Sequence, residues 1–313
     1  MTDVPIRARR ARRVLVGVGV TVLVLLGVVA AGLFAVTERL GSGIVRIPSA
    51  FASLDEVLRP PEGPGRTFLM VGEDSRAATG PSDAALMVAE IAEDRGSVAV
   101  VSVPGRVAVD VAGRGRGPIG GVHTTGGDPA LIVGTVETLT ATRIDHVAVV
   151  DFARLDAIVD AIGGVDLPGA PGLDGAETLA YLDGPDTSST AGAPDRTGRQ
   201  ETVLRAVLGK VVSGGTPTGP VSAFGLLDAI GRSVRLDDAL TNGGLRTLAF
   251  ELRGLRPADF TLLEAPVAGP AGRDGTTALD AGRAPELWEA VRTGRAAGYA
   301  ERHPEDLSGA VPS

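Results

Sequence analysis

Two clusters of polar side chains have the residue types that phosphate chemistry needs. In the first, Asp74 follows an apolar run of the sequence, and Asp83 lies nine residues further on, just before the next apolar run. If both runs are strands, the two carboxylates can meet at one sheet edge, where α/β folds place their sites. Two carboxylates suit a hard cation such as Mg²⁺, which often combines them with phosphate oxygens. The alternative is that Asp83 ends a loop and Asp74 pairs with Arg76.

The second cluster opens a predicted helix. Arg196, Arg199 and Gln200 follow the i, i+3, i+4 spacing, and Val203 and Val207 continue the same helix face. Free N–H groups and the helix dipole add positive potential at such an N-terminus, and the planar fork of arginine suits phosphate oxygens. The cluster therefore predicts a site for a phosphate that carries an apolar chain. The alternative is that both arginines pair with neighbouring Asp or Glu side chains.

Strand and helix patterns alternate around these clusters. Nearly continuous apolar runs, typical of strands covered on both faces, predict strands at Thr67–Gly72, Leu86–Glu93, Ser97–Pro104, Val107–Val111 and His146–Phe152. Apolar residues every three or four positions predict helices at Asp128–Thr140, Phe152–Ile162 and Gln200–Val212. The alternation predicts an α/β fold, a layered α-β-α domain with a central mixed sheet. The glycine-rich segment Gly113–Gly121 lacks a P-loop ending and predicts a mobile loop.

Composition excludes several classes of protein. The 313 residues include 30 basic and 38 acidic side chains, a net charge of −8 at pH 7. This balance argues against a general nucleic-acid binder, which needs a basic footprint. The absence of cysteine excludes disulfide scaffolds, thiol nucleophiles and cysteine-ligated zinc. Three histidines without metal-ligand spacing, and no GxSxG motif, argue against zinc sites and Ser-His-Asp catalysis.

The N-terminal region predicts a membrane anchor. Five arginines precede Val14–Val36, a run of 23 residues without a charge. As a helix this run spans about 34 Å, enough for a hydrocarbon core of about 30 Å. The arginines keep the N-terminus cytoplasmic, which makes the chain a single-pass protein of the cell membrane with its main domain outside. A cleaved signal peptide is the alternative, although its apolar core would be only about 7–15 residues long.

The rest of the chain divides at its Pro- and Gly-rich segments. One amphipathic patch, Pro285–Val291, predicts a short helix near the C-terminus. The predicted organisation is a cytoplasmic basic stub at 1–13, a transmembrane helix at 14–36, an extracytoplasmic stalk at 37–66, a main catalytic-type domain at 67–268 and a C-terminal tail at 269–313.

Several stretches of the sequence resemble the LytR-CpsA-Psr family of cell-envelope glycopolymer ligases, in its actinobacterial form. The matching stretches are Thr67–Arg76, Ser82–Val88, Val101–Pro104, Thr135–Thr140, Arg143–His146, Val149–Phe152, Leu155–Asp166, Leu173–Tyr181 and Arg196–Gln200. Leu155–Asp166 is the most specific of them, and the resemblance is strong over residues 44–215.

The resemblance implies a membrane-anchored phosphotransferase with an external α/β domain. Such a protein binds a polyisoprenyl (pyro)phosphate, the lipid in an apolar tunnel and the phosphates under arginines with Mg²⁺ or Mn²⁺. It transfers a glycopolymer, as its phosphate, from that carrier to peptidoglycan. By resemblance Asp74 and Asp83 hold the metal, while Asp83, Arg196 and Arg199 are catalytic. The phosphate-binding residues that the resemblance implies are Arg196, Arg199 and Gln200, and Arg76 and Arg106 are further candidates that would compensate for arginines missing from the family pattern.

Four arginines of the family pattern are missing or displaced. Pro81, Gly105, Asp183 and Pro185 stand where the family has arginine, and Arg106 follows one residue too late. Each charge-assisted contact contributes about 1.5–3 kcal/mol, so joint loss could abolish turnover. Two alternatives therefore stay open: a catalytically weak member that binds polyprenyl phosphate or assists an active paralogue, and a non-enzymatic anchored scaffold.

Overall fold

The computed structural model describes residues 44–73, 85–111, 114–122, 128–184, 196–212, 229–252, 255–269, 272 and 275–307. The predicted stub and transmembrane helix lie outside these residues, so the anchor stays a prediction. Within the described part of the chain, no helix is long and apolar enough to cross a membrane. Residues from Ile44 onward belong to one compact unit.

The apolar runs form strands, because branched side chains pack well on a pleated surface covered from both sides. The strands are β1 Val45–Ile47, β2 Arg66–Glu73, β3 Ala85–Ile91, β4 Val98–Val103, β5 Ala108–Val111, β6 Gly115–Pro118, β7 His146–Asp151, β8 Val165–Leu167, β9 Ala170–Leu173, β10 Val234–Asp237 and β11 Phe260–Glu264. Seven of them form one sheet in the order β1-β10-β7-β2-β3-β4-β11, and β5-β6 and β8-β9 form separate two-stranded sheets.

The main sheet is mixed, which confirms that part of the predicted fold. β2 pairs in parallel with β7 and antiparallel with β3, and β4 pairs antiparallel with β3 and in parallel with β11. The strands β2, β4, β7 and β11 therefore end at one edge, called here the carboxyl edge, at Glu73, Val103, Asp151 and Glu264. β3 begins at this same edge.

The helices begin and end at recognisable signals. They are α1 Pro129–Thr140, α2 Asp156–Ala161, α3 Gly175–Leu182, α4 Arg196–Val212, α5 Asn242–Glu251, α6 Arg283–Arg292 and α7 Ala296–Arg302. Asp128 caps α1, and Asp174 forms a capping box with Glu177 at the start of α3. Gly163, with a φ of +80°, follows α2 in the left-handed conformation that ends many helices.

Helices cover both faces of the sheet and bury its apolar side chains. α1, α6 and α7 pack on one face, where Trp288 and Tyr299 are buried. α2 and α4 pack on the other face through Ile158, Val203 and Val207. The layered α-β-α arrangement follows, because each face of a covered sheet needs an apolar helix stripe against it.

Residues at both ends of the described chain pack against the sheet. β1, which falls in the predicted stalk, is an edge strand paired with β10. Arg59 donates to the buried Glu137 carboxylate over 2.8 Å and to the Ile144 carbonyl over 2.7 Å, and its guanidinium stacks over the Phe51 ring. In the predicted tail, α6 contains the amphipathic patch and α7 follows it. The boundaries between domains stay a prediction.

Two local predictions are wrong. Residues 115–121 of the glycine-rich segment are ordered as β6 and a 3-10 turn, because β6 pairs with β5 and Ile119 is fully buried. The single helix predicted at Phe152–Ile162 is a 3-10 turn at Phe152–Arg154 followed by α2. The Asp151 carboxylate accepts the Ala153 N–H over 3.0 Å, which holds the chain in a turn before α2 begins.

Asp237, at the end of β10, is a fully buried carboxylate that joins three segments. It accepts the N–H groups of Val147 and Leu240 over 2.9 and 3.0 Å and lies 3.3 Å from His146 Nδ1. Burial opposes its ionisation, but these hydrogen bonds outweigh burial, so the pKa of Asp237 is lower than its ordinary value of 3.8.

The Asp237→Asn variant is expected to lower the free energy of unfolding by about 1–3 kcal/mol at neutral pH. Because the folded-state pKa is depressed, the stabilisation is present above the ordinary value and is lost as the pH falls through the folded-state value. Urea denaturation of both proteins across acidic pH should show the difference shrinking toward low pH. The control is Glu301→Gln, an exposed carboxylate on α7. If the difference in the free energy of unfolding between the wild type and Asp237→Asn stays constant with pH, the ionised Asp237 carboxylate does not stabilise the fold.

Candidate phosphate-binding site

Helix α4 brings Arg199 and Gln200, two residues of the second predicted cluster, to the carboxyl edge. α4 packs against α3, β3 and β8, and its first turns lie beside the turn that follows β4. The Gly105 N–H in that turn donates to the Glu201 carboxylate over 3.1 Å. Arg196 is the first residue of α4. Asp74, Arg76 and Asp83 lie outside the described residues, so their roles stay predictions.

Arg199 is buried, with only 6% of its surface exposed. Its Nη2 donates to the Gly184 carbonyl over 2.8 Å and to the Leu182 carbonyl over 3.4 Å. Leu182 is the last residue of α3 and Gly184 follows it by two positions, and the last carbonyls of a helix have no intrahelical donors. Arg199 therefore links α4 to the end of α3, and it does so one helical turn from the N-terminus of α4.

Gln200 is 2% exposed, and its Oε1 has no hydrogen-bond partner among the described residues. Buried polar atoms without a partner are rare in folded proteins, and many receive one from water or a ligand. An amide can also turn over to present its NH₂ group to an anion. Gln200 is therefore equipped to contact a polar group that enters the site.

Glu201 is a site residue that the sequence analysis missed. It is 6% exposed, and Arg205 Nη2 lies 3.6 Å from its carboxylate and 3.7 Å from that of Glu264. Burial raises the pKa of Glu201 to about 7, although the Gly105 N–H, Arg205 and Arg106 act in the opposite direction. The sequence signal was an acidic residue directly after Gln200 on a helix with a buried stripe.

Two further ion pairs lie at the carboxyl edge on the other side of β2. The buried Glu73 carboxylate pairs with Arg235 of β10, and Asp151 lies 3.4 Å from Arg154. Glu73 and Asp151 are register partners at the ends of β2 and β7. These contacts place two arginines, which no sequence motif singled out, at the ends of β2 and β7.

Gly72 shapes this part of the edge by its lack of a side chain. A Cβ at Gly72 would lie 2.3 Å from Cε2 of Phe152, well inside contact distance. The Phe152 ring therefore packs directly on the β2 backbone, one residue before Glu73. Such close approach requires glycine at this position.

The described residues do not supply a complete metal site at this edge. Both predicted ligands, Asp74 and Asp83, lie outside them, and the described carboxylates nearest to them in the chain and the sheet, Glu73 and Asp151, face arginines. His303, Glu305 and Asp306 lie close together elsewhere. Arg283, however, lies 2.8 Å from Asp306 and 3.3 Å from Glu305, so this cluster is explained as an ion-pair network.

A cleft of about 520 Å³ lies on the opposite face of the sheet from α4. It separates the segment 53–60 from α1, and Leu58, Asp110 and Asp128 contribute to its lining. Among the predicted site residues whose side chains the structure describes, none lines it. The cleft is therefore distinct from the arginine and glutamine cluster on α4.

Comparison with known proteins identifies the family. Residues 62–290, more than two thirds of the chain, match the model of the LytR-CpsA-Psr family. The chain belongs to this family. Relatives in the family are named as cell-wall biosynthesis proteins and as a teichoic acid transferase.

Two relatives and one solved structure illustrate the similarity. The probable cell wall biosynthesis protein LcpB of Corynebacterium glutamicum is 30% identical over 200 residues, 53% of this chain and 47% of LcpB. The polyisoprenyl-teichoic acid–peptidoglycan teichoic acid transferase TagU of Halalkalibacterium halodurans is 29% identical over 208 residues, 60% of this chain and 65% of TagU. The chain thus covers less than two thirds of either protein. The LytR-Csp2A-Psr enzyme from Actinomyces oris shares the fold, with a TM-score of 0.56 at 16% identity over 79% of this chain and 95% of that one.

In this LytR-CpsA-Psr protein the departure at Gly105 has a structural consequence. Gly105, which stands where the family pattern has arginine, is buried and donates its N–H to the Glu201 carboxylate. Arg106, one position later, is exposed. A buried carboxylate and an exposed arginine therefore occupy the part of the edge where the resemblance implied a phosphate-facing arginine.

Proposed function

We propose that this protein is a membrane-anchored phosphotransferase of cell-wall assembly. It would move a glycopolymer, as its phosphate, from a polyisoprenyl-pyrophosphate carrier to peptidoglycan. The observation that carries the proposal is the delivery of Arg199 and Gln200 by α4 to the carboxyl edge of a LytR-CpsA-Psr domain. A transmembrane helix at 14–36, a cytoplasmic N-terminus and an extracytoplasmic main domain are part of the proposal.

The face of the sheet under α4 suits an isoprenyl chain. The buried core on this face is extended by apolar side chains that are only partly covered: Phe68, Met70, Leu248, Leu252, Leu255, Phe260 and Leu262. Burial of such surface contributes about 25 cal/mol per Å². A lipid chain that covers these side chains would gain affinity without any polar contact.

In the proposed mechanism the residues of α4 bind and orient the phosphates. Arg196 and Arg199 would hold the phosphate oxygens at the helix N-terminus, where backbone N–H groups add positive potential. Gln200 would orient the transferred group, and Asp83 would accept the proton of the attacking hydroxyl. Mg²⁺ or Mn²⁺ held by Asp74 and Asp83 would neutralise phosphate charge when bound. Arg76 and Arg106 are further candidates for phosphate contacts.

A second candidate function is lipid binding with weak or no turnover, alone or in support of an active paralogue. Gly105 favours this second function, because it replaces the arginine that the family pattern has at this position. Its backbone N–H donates to the Glu201 carboxylate instead. The two functions separate in a transfer assay run beside an active family member. Product from the relative but none from this protein would favour the second function, whereas product from both would favour the first.

The full-length protein, purified from membranes in detergent, is expected to retain a long-chain polyprenyl phosphate that mass spectrometry detects in an organic extract. Leu262→Gln, on the partly covered face, should reduce the retained lipid because it places an amide against the isoprenyl chain. Leu58→Gln, at a side chain that is 81% exposed and lies elsewhere, is the control and should retain the wild-type amount. If the wild-type extract contains no such lipid, both lipid-binding functions lose support and a scaffold role gains it.

A further inference from the structure

Glu201 is a buried titratable group that the proposed mechanism does not use. It lies on α4 directly after Gln200, and it faces the turn after β4 and the end of β11. Its carboxylate accepts the Gly105 N–H over 3.1 Å, and the Gly105 carbonyl accepts the Gly120 N–H over 2.9 Å. The Arg106 carbonyl in this turn also accepts the Thr277 N–H over 3.0 Å. Glu201 therefore provides one of the attachments that fix the turn, and the only one of these that comes from a side chain.

The charged groups around Glu201 come from three elements. Arg205 of α4 lies 3.6 Å from its carboxylate, Glu264 at the end of β11 lies 3.7 Å from Arg205, and Arg106 approaches from the turn after β4. The Nε of Arg205 is buried and has no hydrogen-bond partner among the described residues. Arg205 therefore keeps a donor that a further acceptor could use.

We propose that Glu201 is a positioning residue of the phosphate site, which fixes the turn at Gly105 and whose charge controls how far Arg106 and Arg205 are available to an anionic ligand. The inference rests on the proposed function and deepens it. The ligand group is the (pyro)phosphate of a polyisoprenyl carrier. When Glu201 is ionised, two carboxylates face the two arginines and repel a third anion. When Glu201 is protonated, one carboxylate remains and the arginines gain net positive potential.

The proposal makes ligand affinity depend on pH in a definite direction. Burial raises the pKa of Glu201 to about 7, so the carboxyl changes its charge close to neutral pH. Affinity for an anion should therefore fall as the pH rises through this range. A unit charge within about 10 Å of the ligand, at an effective dielectric constant of about 20, changes the affinity by about tenfold.

The test is isothermal titration of the full-length protein in detergent with farnesyl pyrophosphate, a soluble isoprenyl pyrophosphate, from about pH 6 to about pH 8.5. In Glu201→Gln a side-chain oxygen can still accept the Gly105 N–H, while the charge is gone. The wild-type Kd is expected to rise about tenfold relative to that of Glu201→Gln across this range. Titration of the ligand itself affects both proteins equally and cancels in the ratio.

A matched control and a second variant distinguish the effect of the Glu201 charge from the effect of its hydrogen bond to the Gly105 N–H. Glu289→Gln removes one charge from α6, on the opposite face of the sheet, and should follow the wild-type pH profile. Glu201→Ala removes the acceptor of the Gly105 N–H as well as the charge, and should therefore bind more weakly than Glu201→Gln at every pH. If the ratio of the wild-type and Glu201→Gln Kd values does not change with pH, the proposal is overturned.

The failure of the proposed function gives a different result. If the wild-type protein binds no farnesyl pyrophosphate at any pH, the phosphate-transfer function is in doubt. The inference on Glu201 is then decided by a carbon-detected NMR titration of its carboxyl group. A midpoint near pH 7 that moves upward in Arg205→Gln, because a stabilising cation is lost, supports the coupling. A midpoint near the ordinary value of 4.5, or no shift in Arg205→Gln, overturns it.

Discussion

Replacement of Arg199 by alanine is expected to lower the rate of glycopolymer transfer by about 100-fold or more. The guanidinium is buried and held by the Gly184 and Leu182 carbonyls, so it enters the reaction already oriented. No other described side chain on the first turns of α4 offers a planar fork for phosphate oxygens. The measurement is the initial rate with lipid-linked oligosaccharide, peptidoglycan fragments and Mg²⁺, scored for a phosphodiester-linked product.

Arg292 provides the matched control for this variant. Its Nη1 donates to the Thr140 carbonyl over 2.9 Å at the end of α1, much as Arg199 donates at the end of α3. Arg292→Ala removes the same kind of helix-end contact far from the α4 face, and should leave the transfer rate near the wild-type value. If Arg199→Ala and Arg292→Ala reduce the rate by similar factors, Arg199 acts through stability alone. Arg199→Lys keeps the charge but not the fork, and is expected to restore only part of the rate.

Trp288→Ala is expected to lower the free energy of unfolding by about 3–5 kcal/mol. Trp288, the single tryptophan of the chain, is 2% exposed on α6 and belongs to the core between α1, α6, α7 and the sheet. Its loss leaves a cavity that the surrounding helices fill only in part. Urea unfolding followed by circular dichroism measures the change as a lower midpoint with an unchanged slope.

Two further variants show whether the Trp288 effect comes from packing. The indole Nε1 has no hydrogen-bond partner among the described residues, so Trp288→Phe removes volume without breaking a described hydrogen bond. It should be less destabilising than Trp288→Ala. Leu58→Ala, at an 81% exposed side chain, should change stability by no more than about 0.5 kcal/mol. A loss below about 1 kcal/mol in Trp288→Ala would mean that the C-terminal helices are not part of the cooperative unit.

The sequence predicted the central strands and several of the helices well, because their signals are local. Strands such as β2 and β4 are short apolar runs bounded by polar residues, and α1 has a capping Asp128 and a regular apolar stripe. The error at residues 115–121 has a different origin. Nothing local indicates that β6 pairs with β5 or that Ile119 enters the core, because those contacts form only after the chain folds.

For the site, the sequence placed Arg199 and Gln200 on the inward side of a helix, and the structure buries both. The spacing of side chains along a helix is fixed by its 3.6-residue period, so such a prediction needs no tertiary information. The acceptors of Arg199 are different. The Gly184 and Leu182 carbonyls become its partners only because α3 ends beside α4.

By itself, the sequence determined the family, the mixed α/β architecture and the inward-facing side of α4 that carries Arg199 and Gln200. All of these depend on residue identity and on periodicity along the chain. Only the tertiary structure decided that Glu201 faces Gly105, that Arg235 reaches Glu73 and that α6 and α7 cover the sheet. The physical reason is that a buried carboxylate, and the pKa that its burial raises, depends on which distant backbone and cationic groups surround it, and these are brought together by packing.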